Sequence, residues 1–205
     1  MSLVQVFEAP AVPNRPADRV LLIDAGTAAT GIRDLRPDVG TVLKKDPHAA
    51  DDPSAPAYLG HPGARVLIIG SGAGSQVLEA LAIHASSVTA VEINPAINEI
   101  VANRMNDFWG GLFHQTEVHL VTDEGRSFLR RSHDTYDTII SVHTISNAAV
   151  ASGAMSLAEN YVLTAKLSST TSTTCRPTAH SISLAPSTSY RVSWPLRAKP
   201  SSSSV

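Results

Sequence analysis

One cysteine, Cys175, stands in 205 residues, which leaves no partner for an intrachain disulfide and excludes a cysteine-rich zinc site. The eight histidines are scattered without the spacing of metal ligands, so no metal is expected. No apolar run approaches the roughly 18 to 20 residues that a membrane-spanning helix needs, and no membrane segment is expected in this chain. The start, MSLVQVFEAPAVPNRP, has neither a basic segment nor a long apolar one. A secretory signal is therefore not expected, and the cytoplasm is the default compartment. Acidic residues are missing from the C-terminal part: all 18 lie at or before Glu159, while Lys166, Arg176, Arg191, Arg197 and Lys199 follow it. The body is thus mildly acidic and lacks the clustered Lys and Arg that phosphate backbones demand, so nucleic acid is not the expected partner.

What is present is organised around residues 65–95. Val66, Leu67, Ile68 and Ile69 form a continuous apolar run, as a parallel strand buried on both faces requires, and it stops at Gly70. The turn that follows, Gly70-Ser71-Gly72-Ala73-Gly74, admits positive φ and close approach of a ligand. Residues 75–83 supply a helix whose N-terminus points into that turn. A second strand over 88–91 ends at Glu92, whose carboxylate can accept hydrogen bonds from both hydroxyls of a ribose. The unit describes a nucleoside pocket at the carboxyl ends of parallel strands. Two other readings remain at this level: a tight connection that binds nothing, and a dinucleotide site for NAD, which GSGAGS matches except for Ser75 at the last glycine position.

The length and the hydrophobic fraction of 43% suit one globular domain with tails. Residues 1–62 read as an N-terminal arm with a small hairpin and a proline-rich loop. The arm is 1–19; the hairpin has strands near 19–24 and 30–32, and 39–43 is a short helix or strand. Residues 63–166 form the Rossmann-like unit. Asn94 is a good cap and Pro95 a good first residue for a helix over about 95–106, striped by Ile97, Ile100, Val101 and Met105. Phe108, Trp109 and Phe113 read as core. A third strand over 118–121 ends at Thr122-Asp123-Glu124, a helical turn starts at 125, and a fourth strand spans 136–143. A further helix is expected near 157–164. From 167 to 205, 18 of 39 residues are Ser or Thr, which predicts a disordered tail that adds no core.

The ordered motifs VLIIGSGAGS, VTAVEINP, LVTDEGRSFLRR and YDTIISVH, within residues 64–164, resemble the spermidine synthase-like branch of the class I S-adenosylmethionine-dependent methyltransferase-like Rossmann proteins. The resemblance implies an α/β fold with a methyltransferase-type parallel sheet. It also implies a pocket for S-adenosylmethionine or decarboxylated S-adenosylmethionine, and transfer of a methyl or aminopropyl group to a small-molecule substrate. Carried over by position, the glycine turn of Gly70, Gly72 and Gly74 holds the nucleoside end, Glu92 the ribose, and Asp123 or Glu124 the adenine amino group. The family places an aspartate inside the turn and another just after the fourth strand. Here those places hold Ala73, and Val142 with His143. A non-catalytic nucleoside-binding remnant is accordingly the alternative, with His143 a candidate base. The resemblance stops near Thr164, so the sheet is expected to lack its last strands. A shifted reading frame there is one explanation, and an open edge would invite pairing between copies.

Overall fold

The computed structural model describes residues 4–8, 19–23, 28–45, 62–142 and 181–185. Three strands come first: β1 (Val4–Glu8), β2 (Arg19–Ile23) and β3 (Ala28–Ile32). They pair antiparallel in that order, with Val4 opposite Ile23 and Arg19 opposite Ile32. The hairpin of β2 and β3 was expected. β1 was not, because its five residues fall in a stretch read as a loose arm; alternate valines Val4 and Val6 pack partly buried on the core and give that strand its inner face. The ambiguous apolar cluster after it is a helix, α1 (Val39–Lys45).

The second sheet is parallel throughout. It contains β4 (Arg65–Ile69), β5 (Ser87–Glu92), β6 (Val118–Thr122), β7 (Thr138–Val142) and β8 (Ser181–Ala185), in the spatial order β6-β5-β4-β7-β8. The chain winds outward from β4 to β5 and β6, then returns to place β7 on the other side of β4. That reversal makes the carboxyl edge between β4 and β7 the switch point at which open α/β sheets bind ligands. β4 is buried on both faces, as its unbroken aliphatic run requires.

Helices cover both faces. On one, α2 (Ser75–Ala82) and α3 (Pro95–Glu99) pack Val77, Leu78 and Ile97 with Val66, Ile68 and Ile140. On the other, α4 (Gly125–Arg131) sets Leu129 with Leu67, Ile69, Val91, Tyr136 and Ile139. Phe108, Trp109 and Phe113 belong to the first cluster, with Trp109 only 1% exposed, which bears out their reading as core. Leu21, Leu35 and Val39 join the same cluster, so the N-terminal strands and α1 share a core with the parallel sheet. The seam is further tied by the amides of Leu35 and Val39, which donate to the carbonyls of Phe108 and Gly110 at 2.9 Å each. The Arg19 guanidinium lies 4.4 Å from the centre of the Phe108 ring.

Two further expectations change. The helix over about 95–106 is α-helical only to Glu99, and residues 100–104 form a π turn in which the Met105 amide donates to the Ile100 carbonyl at 2.8 Å. The Ala102 carbonyl inside that turn is engaged at 2.8 Å by Nε2 of His114, a partner outside the helix, which offsets the loss of a regular ladder bond. The second change is β8. Residues 181–185 sit in the Ser/Thr-rich segment read as contributing no strand, yet pair with β7 from Thr138 opposite Ser181 to Val142 opposite Ala185. Isoleucine and leucine alternate with serine in SISLA, a pattern that composition over the whole tail conceals. The helix expected near 157–164 and His143 lie outside the described residues.

Candidate adenosyl-binding site

The end of β4 is held against the end of β5. Gly70 and Ser71 donate their amides to the Val91 carbonyl at 2.8 and 3.1 Å, and Gly74 closes the turn by donating to the Ser71 carbonyl at 2.8 Å. Gly70, Gly72 and Gly74 have φ of 76°, 53° and 96°. At Gly74 glycine is required twice over: φ is left-handed, and a Cβ would stand 2.6 Å from Cζ of Phe113. At Gly72 a Cβ would meet nothing within 4 Å, so the absent side chain leaves open space beside the turn.

Glu92 is 6% exposed, less open than its position at a strand end suggests. One carboxylate oxygen, Oε2, accepts the Gly72 amide at 3.0 Å, and the other, Oε1, accepts the Asn94 amide at 2.9 Å. The side chain thereby clips the glycine turn to the start of α3. A carboxylate offers about four acceptor sites. Two are used, so acceptor capacity for a diol remains. Asn94 caps α3 as its sequence position predicts, accepting the Ala96 amide at 3.0 Å.

The acids after β6 have separate duties. The Asp123 amide donates to the Glu92 carbonyl at 3.1 Å, which ties the ends of β5 and β6 together. Its side chain accepts the Glu124 amide at 2.8 Å and pairs with Arg131. Glu124 caps α4, accepting the amides of Arg126 at 2.9 Å and Ser127 at 2.8 Å. Burial pushes the Glu124 carboxyl upward, but the two amides, the Ser127 side chain and the Arg126 charge outweigh it, and its pKa lies below the ordinary 4.5. A depressed folded-state pKa adds stability that is fully present above the unfolded value and is lost as pH falls through the folded one. Glu124→Ala is therefore expected to cost about 1 kcal/mol at neutral pH. The gap from the parent should narrow below about pH 4.5 in urea unfolding repeated along a pH series.

The predicted residues of the turn, Glu92, Asp123 and Glu124 thus stand together along one edge, at the carboxyl ends of β4, β5 and β6. Ala73, in the turn, is fully buried in the first core cluster. Val142 ends β7. Three residues at this edge escape a reading of the sequence. Ile93, next to Glu92, is 64% exposed, an apolar face standing in solvent. Ser71 and Ser141, 2% and 4% exposed, have hydroxyls without a hydrogen-bond partner among the described residues. Nothing in periodicity or motif spacing marks a serine as unpartnered, because that depends on what the fold brings near it. Among the described residues no cluster suited to a metal ion occurs and no helix is long and apolar enough to cross a membrane.

A polyamine aminopropyltransferase of Korarchaeum cryptofilum is 32% identical over 76 residues, 37% of this chain and 24% of that one. Another, from Pectobacterium carotovorum, is 35% identical over 78 residues, 38% of this chain and 27% of that one. The chain therefore matches about a quarter of the length of these relatives. A crystal structure of spermidine synthase in complex with the transition state analogue AdoDATO superposes with a TM-score of 0.51 at 16% identity. It covers 85% of this chain and 49% of the other, and shows a common fold. The family model for the spermine/spermidine synthase domain matches residues 56–176, which contain the glycine turn and both acidic strand ends. The chain belongs to the spermine/spermidine synthase family.

Proposed function

We propose that this chain binds an adenosyl sulfonium donor, S-adenosylmethionine or its decarboxylated relative, and transfers an aminopropyl or methyl group from it to a small-molecule acceptor. The observation that carries the reading is the Glu92 clip: one buried carboxylate joins the glycine turn to the end of β5 and keeps acceptor sites for a ribose. The open space at Gly72 gives a nucleoside room to lie against the turn. The exposed Ile93 side chain offers an apolar surface for a purine, with Asp123 and Glu124 next along the edge to accept from its amino group. A sulfonium makes its neighbouring carbons electrophilic. The protein's contribution is to hold donor and acceptor in line, because orientation supplies most of the acceleration for such a displacement.

Calorimetry with S-adenosylmethionine, its decarboxylated form and NAD tests the binding class. Binding of either sulfonium without NAD supports the reading, whereas NAD alone would sink it. Turnover with a panel of amines then tests transfer. One observation favours a second reading, a nucleoside-binding module without turnover: the turn carries the buried, uncharged Ala73 and β7 ends in Val142. Binding with no product from any amine would select it.

A further inference from the structure

The ladder between β5 and β6 ends with Glu92 opposite Thr122. Past that pair, the Asp123 amide reaches back to the Glu92 carbonyl. A second tie runs through α3. The helix starts on β5, because Oε1 of Glu92 accepts the Asn94 amide at 2.9 Å, and its first turn closes where the Asn98 amide donates to the Asn94 carbonyl at 3.3 Å. There it meets β6: Nδ2 of Asn98 donates to Oγ1 of Thr122 at 2.7 Å. Thr122 is the residue before Asp123. The first turn of α3 is therefore a brace between the strand end that carries Glu92 and the strand end that carries Asp123 and Glu124.

The brace is built from a residue that stabilises a helix poorly. Asn98 is 7% exposed, and its Oδ1 has no hydrogen-bond partner among the described residues. A buried amide with an unmet oxygen costs stability, and asparagine is a weaker helix former than leucine. Ile97 and Ile100 on either side bury aliphatic groups instead. What asparagine supplies is a directed bond to one atom at the end of β6. That end has particular need of it, since β6 is the edge strand of the parallel sheet and has a neighbouring strand on one side only.

We propose that Asn98 is a positioning residue for the base: by fixing Thr122 it holds the acids after β6 at the separation from Glu92 that a ribose and a 6-aminopurine require together. The inference rests on the adenosyl reading and adds to it the residue that sets preference for adenine over hypoxanthine. The 6-amino group of adenine donates to a carboxylate, whereas the 6-oxo group of hypoxanthine presents it with a second acceptor. Discrimination between them depends on how closely the carboxylate is held.

Calorimetry on the full chain with methylthioadenosine and methylthioinosine tests this, because the two share sugar and thioether and differ in the base. The parent is expected to prefer methylthioadenosine by about tenfold or more. Asn98→Leu should lower methylthioadenosine affinity by about two- to tenfold, the worth of one hydrogen bond, and leave methylthioinosine within about twofold. Thr122→Val should do the same, and the double variant should lose no more than either single one. Thr122→Ser, which keeps the hydroxyl, should retain the parent's ratio. The melting temperature of Asn98→Leu should be no lower than the parent's, because Thr122 is exposed and its hydroxyl finds water. Equal weakening of both ligands would overturn the proposal, since general loosening of the site produces that result. A parent without preference for adenine would overturn it too, as would an unchanged ratio in Asn98→Leu and Thr122→Val. Failure of both ligands to bind the parent would instead overturn the adenosyl reading beneath it.

Discussion

Glu92→Ala is expected to weaken adenosyl-ligand binding by at least about a hundredfold and to lower stability by about 2–4 kcal/mol. The stability loss comes from the two amides that the carboxylate now satisfies, those of Gly72 and Asn94 at 3.0 and 2.9 Å. Each would be left without its acceptor at a partly buried position, at the lower end of about 1–3 kcal/mol apiece. The binding loss has two sources that add. The ribose loses a charged acceptor, and the turn loses the clip that holds it at the end of β5. Calorimetry with S-adenosylmethionine and methylthioadenosine reads the first effect, and urea unfolding the second. Glu92→Gln should fall between parent and alanine in stability, because its amide oxygen can accept from one backbone group while its NH2 faces the other. Parent-like affinity in both variants would show that the nucleoside lies elsewhere on the molecule.

Gly110→Ala is expected to cost about 3 kcal/mol or more, the largest loss from adding one methyl group. Its φ of +57° is one that an L residue adopts only under strain. The added Cβ would stand 2.3 Å from the Leu35 carbonyl oxygen and 2.7 Å from the Val39 amide nitrogen. Both obstacles are backbone, so relief means moving the segment that leads into α1, together with the hydrogen bond from Val39 to the Gly110 carbonyl. A stability loss of this size lowers the melting temperature by roughly 6–12 °C in a chain of this length. Differential scanning calorimetry against the parent measures it. Because Gly110 lies outside the glycine turn, methylthioadenosine affinity below the transition should stay within about twofold of the parent.

The two substitutions divide what is local from what is not. The glycine turn, the strands on either side of it, the Asn94 cap and the acids after β5 and β6 are readable from order and spacing, because each is specified by residues within one turn or strand of itself. The buried aliphatic run of β4 could only be a central strand. What stretches within the sequence could not reveal is pairing across distance. β8 needed a partner strand far along the chain and β1 one across the proline-containing stretch before Arg19, and local composition argued against both. In the π turn the Ala102 carbonyl meets His114, a residue beyond the helix.

The site divides in the same way. Composition and motif order determined that this protein carries a Rossmann-like parallel sheet with a glycine turn, and which acids stand at its edge. Only the tertiary structure decided what those acids do before a ligand arrives. Glu92 clips the turn, Glu124 caps α4 and Asp123 pairs with Arg131, because a carboxylate bonds whatever donors the fold brings within reach. It also decided that Ser71 and Ser141 are buried without partners among the described residues, since satisfaction of a hydroxyl is a property of its surroundings in space and has no signature along the chain.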